Sequence, residues 1–319
     1  MSEPLPERGI ADLIGDAFDT LARAPLLILG TFAALELAWA LPSIVASVFG
    51  ERLVQEIIAQ DAELTPALVQ AMMKWVVAGL LLFFAFMLAM VFAYAFAFGV
   101  VEYAVKEALE RRKPDPNAAF AYARPRIFET MRSLGAFSLA YVPAIVLGML
   151  AAQQLIAGFS GKGLGSGVGI SLLLMVFALG AYVIGDPIFR LVVGTGAFGP
   201  KRGLDALAEA WAVARARFGE VILIALVLVV AAVVVWILGL LLQVPLPSTP
   251  SKLDFDILND KLDAKSLMKK MFEPKPTAMW VAIYRAVVQS ICYALREGFA
   301  FLLVAVWFAR RAGRLSSNA

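Results

Sequence analysis

Five ionisable residues lie deep inside long apolar runs: Glu36, Asp186, Arg190, Arg296 and Glu297. A sixth, Arg285, sits near the end of its run, where a long side chain can reach water. Carboxylates and guanidiniums in such places can hold an ion, a proton or a charged headgroup, or they can pair with each other. What they cannot do alone is most enzyme chemistry. The chain has no histidine and a single cysteine, Cys292. The commonest general acid–base and the commonest metal ligand are therefore missing, which removes Ser-His-Asp triads, Cys-His dyads and histidine-containing zinc sites together. One cysteine also forms no internal disulfide. The residues point to no catalytic group, no metal ligand set and no cofactor.

The elements that must position these charges follow from composition. Hydrophobic residues make up 61% and charged residues 17% of the 319, against about 45–50% and about 25% in soluble domains. The excess is gathered into runs long enough to cross a bilayer core of about 30 Å. Six qualify: 26–48, 75–104, 133–156, 169–196, 220–243 and 280–308. Unsatisfied backbone groups are so costly in lipid that these runs must be helices, and the alternation of a barrel strand is absent. The fold expected is all-α, a single polytopic domain over 1–319 in the form of a six-span bundle. At 1.5 Å per residue, Glu36 and Asp186 lie about 15 Å from the near end of their spans, Arg190 about 9 Å, and Arg296 and Glu297 about 17 Å. Asp186 and Arg190 are spaced i, i+4 and can pair on one helix face, and Pro187 is placed to bend that helix. Two readings stand: a polar cavity that binds a headgroup, ion or proton, or a set of structural pairs that fixes span packing. Both place the five residues in the bundle interior.

Orientation comes from lysine and arginine placement. The N-terminal segment, the 105–132 and 197–219 connections and the C-terminal tail together carry 16; the 49–74, 157–168 and 244–279 connections carry nine. The excess places both termini in the cytoplasm, although the 244–279 segment holds six lysines among Asp254, Asp256, Asp260, Asp263 and Glu273. The N-terminus lacks the build-up of a cleaved signal peptide. Residues 244–279 form the longest extracytoplasmic segment, a place for a partner protein or a cap on the bundle.

Three segments on the cytoplasmic side share one design: GIADLIGDAFDTLARAP (9–25), DPNAAFAYARPRIFETMR (115–132) and GLDALAEAWAVARARFG (203–219). Each has an alanine–aromatic pair, Ala17-Phe18, Ala119-Phe120 and Ala210-Trp211, and an arginine four or five positions after the aromatic, at Arg23, Arg124 and Arg215. In the first, Ile10, Leu13, Ile14, Ala17, Phe18 and Leu21 share a helical face. In the third, Leu204, Leu207, Trp211, Ala214 and Phe218 do. This is the pattern of interfacial amphipathic helices, or of elbows packed under a bundle. The interfacial anchors expected are Phe18, Arg23, Phe120, Arg124, Trp211 and Arg215. Asp115 and Pro116 form a helix start, and Pro125 kinks the helix that follows.

Other signals are weaker. The glycine-rich stretch 157–169 reads as a flexible hairpin loop: Gly163 stands where a phosphate-binding loop needs Ser or Thr, and no strand precedes it. In the second span, Ala85, Ala89 and Ala93 recur at intervals of four, a spacing that allows close helix approach. The tail RRAGRL (310–315) reads as a headgroup anchor.

The segment 182–230, YVIGDPIFRLVVGTGAFGPKRGLDALAEAWAVARARFGEVILIALVLVV, runs from a span through a Gly-Pro turn and an amphipathic helix with a central tryptophan into a new span. It resembles the membrane domain of some glycerophosphodiester phosphodiesterases and their stand-alone relatives, the YciC-like multi-pass membrane proteins. In that group the chemistry belongs to a separate soluble barrel whose catalytic set includes histidines. A chain without histidine departs from it, so the resemblance implies a membrane domain without the enzyme. The function expected is non-enzymatic, through lipids or partner proteins, as a scaffold, assembly factor or shaper of the bilayer. The alternative is a transporter or channel using the carboxylate–arginine cluster; the repeat in one orientation, rather than as an inverted pair, counts against it. The partners expected are membrane lipids, with another membrane protein or a second copy as the further option and no nucleic acid, in a bacterial inner (plasma) membrane.

Overall fold

The structure, a computed structural model, describes residues 9–59, 66–159, 164–243 and 279–312. They form helices α1 (Ile10–Arg23), α2 (Pro25–Ala59), α3 (Pro66–Leu109), α4 (Pro116–Ala123), α5 (Ile127–Ser138), α6 (Val142–Phe159), α7 (Leu164–Phe198), α8 (Leu204–Ala216), α9 (Phe218–Gln243) and α10 (Met279–Arg311), with no strand among the described residues. Six helical stretches are long and apolar enough to cross a membrane. The protein is an all-α, multi-pass membrane-type bundle.

Several boundaries differ from those expected. The connection at 49–74 is largely helical, because α2 continues to Ala59 and α3 starts at Pro66. At 44 residues α3 is about 66 Å long, more than twice the thickness of a bilayer core. The glycine-rich hairpin also shrinks. α6 continues to Phe159 and α7 begins at Leu164, leaving 160–163 outside the described residues. The segment 244–278 lies outside them too. At Pro125 the helix is interrupted and not merely kinked: a 3-10 turn over Arg124–Arg126 separates α4 from α5. The Asp115 carboxylate caps α4 as its sequence requires, accepting from the Asn117 and Ala118 amides at 3.3 and 3.2 Å, with Pro116 in the first turn. Pro187 lies inside a continuous α7. Ala85 and Ala89 are exposed rather than packed.

The chain divides into two compact units. The first comprises Met1–Phe32, Val91–Val235 and Tyr293–Ala319. Its centre is the end of α10, where no residue from Phe301 to Ala309 is more than 1% exposed. Nine consecutive buried residues cover every direction around a helix, so other elements surround this stretch completely. α6 and α7 form a hairpin tied by the Ser171 hydroxyl, which donates to the Ala151 carbonyl at 2.9 Å. α8 packs on α7 and α5. It starts at Gly203, whose φ of 62° suits only glycine well and whose amide donates to the Ser133 hydroxyl at 3.0 Å. Close approach replaces bulk at two helix contacts. A methyl at Gly185 would lie 2.7 Å from the Ala140 carbonyl oxygen, and one at Gly194 would lie 3.1 Å from the Phe308 ring. Small residues at such crossings are how membrane helices gain van der Waals contact.

The second unit comprises Ala33–Met90 and Trp236–Cys292. Within it Trp39 packs against Phe86 with ring centres 6.2 Å apart. The Tyr284 hydroxyl donates to the Leu242 carbonyl at 3.1 Å.

Candidate functional site

The first unit brings four of the five predicted intramembrane charges together. Arg190 on α7 is the hub. Its Nε donates to Asp186 Oδ2 at 2.8 Å and its Nη2 to Asp186 Oδ1 at 3.0 Å, the i, i+4 pair expected from the sequence. On the other side its Nη1 bonds Glu297 of α10, and its Nη2 approaches the second Glu297 oxygen at 3.4 Å. Every nitrogen of the guanidinium is thus engaged by a carboxylate. The Arg190 and Glu297 side chains are each 7% exposed. A second guanidinium completes the set: Arg296 donates from Nε to Glu297 Oε1 at 2.8 Å, and its Nη2 lies 2.6 Å from the same oxygen. Two carboxylates and two guanidiniums cancel in charge.

An aromatic layer supports the network. Arg190 sits over the Phe301 ring at 4.8 Å. Phe301 in turn contacts Phe32, Phe98 and Phe189 at 5.4, 5.0 and 6.3 Å. Excluding water in this way strengthens every charge–charge contact inside the layer. Arg296 departs from expectation: its side chain is 44% exposed, not turned into the interior. It follows Tyr293 on the outside of α10, its guanidinium 5.3 Å from that ring. Glu36 is partly buried on α2 and belongs to the second unit.

The three segments of shared design are helical, the second split by its 3-10 turn into α4 and α5, and their repeat has a common geometry. Ala17, Ala119 and Ala210 are each 0% exposed, while the aromatics beside them, Phe18, Phe120 and Trp211, are 53%, 49% and 51% exposed. Arg23, Arg124 and Arg215 are all exposed; Arg23 reaches the Ala108 carbonyl at the end of α3, at 3.5 Å. The packing face of α8 is not the one the large apolar residues mark. Ala206, Ala210 and Ala214 are buried, whereas Leu204, Trp211 and Phe218 point outward. The physical reason is that α8 has two apolar faces: the small-residue face packs closely against protein and the bulky face stays exposed.

Some site residues were not singled out from sequence. The Tyr141 hydroxyl donates to Asp186 Oδ1 at 2.9 Å, a partner 45 positions away that no local spacing marks. Glu102, in the last turns of α3, is 2% exposed. Its carboxylate lies where a side chain at Gly196 would have to be, and it faces the positive charges of Arg202 and Arg126 and the negative charge of Glu129. Arg202 itself donates to the Thr195, Gly196 and Gly199 carbonyls at the end of α7, at 3.4, 3.3 and 2.7 Å. The signal was available: Glu102 is a lone acid in the run FGVVEYAV. Arg310 pairs with Asp16 of α1. Glu220 Oε2 accepts from the Trp307 indole at 2.7 Å and from Arg311 Nε at 2.9 Å.

Among the described residues no group of three or more histidine, cysteine, aspartate or glutamate side chains is placed to hold a metal ion. No family model, no curated protein and no solved structure matches this chain.

Proposed function

We propose that this is a non-enzymatic protein of a bacterial inner membrane, with both termini in the cytoplasm, that works through the lipids around it. Three interfacial helices form its working surface, and membrane partners dock on the same frame. The observation that carries this reading is the threefold pattern of a fully buried alanine beside a half-exposed aromatic. An aromatic ring held outward on an interfacial helix belongs at headgroup depth. The resemblance of 182–230 to phosphodiesterase membrane domains and YciC-like proteins agrees with a membrane role without catalysis. The saturated Arg190 supports it from the other side, since a guanidinium engaged at every nitrogen by the protein's own carboxylates suits a structural role.

The test is reconstitution into liposomes followed by electron cryomicroscopy of vesicle diameter, comparing wild type with Phe18→Ser, Phe120→Ser and Trp211→Ser combined. The wild type is expected to shift the diameter distribution and the triple variant to lose that shift while melting normally. An identical distribution for both removes the reading. Orientation is checked in a Cys292→Ser background with single cysteines at Lys113 and Arg215, which an impermeant maleimide is expected to reach only from the cytoplasmic side.

A second reading, a transporter or channel, is favoured by one observation: Arg296 is half-exposed in the middle of α10. Solute or proton flux in the same vesicles that is abolished by Arg296→Leu would put this reading first.

A further inference from the structure

Where α1 and α9 begin and α10 ends, the first unit has a cleft of ≈ 330 Å³ whose charged lining is Arg217, Glu220 and Arg311. Pockets for small molecules start at about 300 Å³, so there is room for a headgroup. Glu220 fixes the arrangement. Its Oε2 is occupied by the Trp307 indole and by Nε of Arg311, while Arg217 Nη1 lies 3.6 Å from its Oε1. Binding Arg311 through Nε leaves both terminal nitrogens of that guanidinium without a hydrogen-bond partner among the described residues, on a side chain only 22% exposed. Donors held this way, mostly out of water and facing a cleft, fit a tetrahedral anion, for which the planar fork of arginine is well shaped. Arg217 brings a second guanidinium to the same lining.

The rest of the lining is apolar. Leu13 and Ile224 form a buried floor. Leu223, 46% exposed, opens the cleft sideways. Leu226 and Val230 continue the same face of α9 at i+3 and i+7, both exposed. A charged mouth therefore leads onto an apolar track along a span.

We propose that this cleft binds the phosphate of an amphiphilic phosphate ester, a glycerophospholipid, held by Arg311 and Arg217, with an acyl chain along Leu223, Leu226 and Val230. The inference rests on the lipid reading above and gives it a site. The shared chemistry is phosphate, and a free phosphate ester is the other source.

The experiment is native mass spectrometry of delipidated protein in mild detergent, titrated with phosphatidylglycerol and, in parallel, with glycerol 3-phosphate. Four forms are compared: wild type, Arg217→Gln with Arg311→Gln, Arg311→Lys, and Arg310→Gln. The last removes a neighbouring charge whose partner is Asp16, outside the cleft. Each form is checked by melting and size exclusion. The expected result is lipid binding to wild type that falls about tenfold in the double variant, the loss of a charge-assisted contact, and is unchanged in Arg310→Gln. Arg311→Lys keeps the charge and loses the fork; a loss there supports the geometry even if the double variant fails to fold. Binding of glycerol 3-phosphate as tight as that of the lipid, with the same arginine dependence, keeps the phosphate site and overturns the acyl track. Lipid binding that ignores the cleft arginines, or falls equally in Arg310→Gln, overturns the site and leaves the lipid reading standing. A wild type that binds no lipid overturns both.

Discussion

Replacing Arg190 by methionine tests whether the intramembrane charges hold the fold. The substitution keeps the volume and removes the contacts to Asp186 at 2.8 and 3.0 Å, together with both contacts to Glu297. Glu297 retains Arg296 at 2.8 Å. Asp186 is left with the Tyr141 hydroxyl at 2.9 Å and no cation. Its side chain is 15% exposed, so water compensates little. Removing one partner of a buried pair costs about 3–5 kcal/mol, and an unpaired aspartate at mid-span is charged about 2.5–3.5 kcal/mol on insertion scales. The expected loss is therefore about 3–4 kcal/mol.

The cause is separated from simple loss of packing by adding Asp186→Asn. This removes the orphan charge and keeps an acceptor for Tyr141. The double variant is expected to regain about 2 kcal/mol relative to additivity, within the usual range for residues in one network. The assay is reversible unfolding in mixed micelles with increasing sodium dodecyl sulfate, followed by far-UV circular dichroism. A cost below about 1 kcal/mol for Arg190→Met, or strict additivity in the cycle, would refute the reasoning. The first result would mean that water reaches the network, and the second that Asp186 does not depend on Arg190.

Three further outcomes are expected. Gly185→Ala places a methyl 2.7 Å from the Ala140 backbone oxygen, a group that cannot swing aside, and should cost about 1–3 kcal/mol in the same assay, whereas Gly219→Ala, with nothing within 4 Å, should cost no more than a few tenths. Ala210→Leu, on the fully buried face of α8, should destabilise by about 1–3 kcal/mol; Trp211→Phe, one position on and half-exposed, should leave stability unchanged and reduce the tryptophan fluorescence quenched by brominated lipids, leaving the share of the exposed Trp39, Trp236 and Trp280. Gly203→Ala, forced to adopt a φ of 62°, should lose about 1–3 kcal/mol, measured as a lowered detergent midpoint with an unchanged slope.

The spans were legible because length and apolarity alone decide them. The i, i+4 pair of Asp186 and Arg190 was legible for the same reason: it is local. Three features were not. The alanine face of α8 is hidden because periodicity gives the direction of the large apolar residues, and in a membrane that direction is towards lipid as readily as towards protein. Ala206, Ala210 and Ala214, at i, i+4 and i+8, carried the correct signal in their size. The start of α7 at Leu164 is hidden because glycines in LGSGVG read as a loop by water-based propensities, whereas glycine is common in membrane helices. The burial of Glu102 is hidden because a charge near the end of a span is ordinarily solvated; here Gly196 leaves room for the carboxylate against α7.

The distribution of charge also explains why the most buried helix is not the most apolar. The apolar stretch of α10 is 67% buried, against 11–22% for the other five spanning stretches, yet α10 carries Arg296 and Glu297. Leucine gains almost nothing by leaving lipid for protein, so apolarity does not sort the inside of a membrane bundle from its outside. Charge pairing and small size can, and they also specify register. Glu297 faces Arg190, and the residue before it is Arg296. A slip of α10 by one position would set guanidinium against guanidinium, so the pair penalises the neighbouring register as well as stabilising the native one. The same adjacency accounts for the exposure of Arg296. Consecutive helical residues point about 100° apart, so once Glu297 faces the core Arg296 must turn away from it. Two carboxylates are needed to occupy both sides of Arg190, and their second negative charge needs a second cation within reach, which Arg296 supplies from the edge. A neutral, register-setting network thus produces the same half-exposure that favours the transport reading, and measured flux decides between the two.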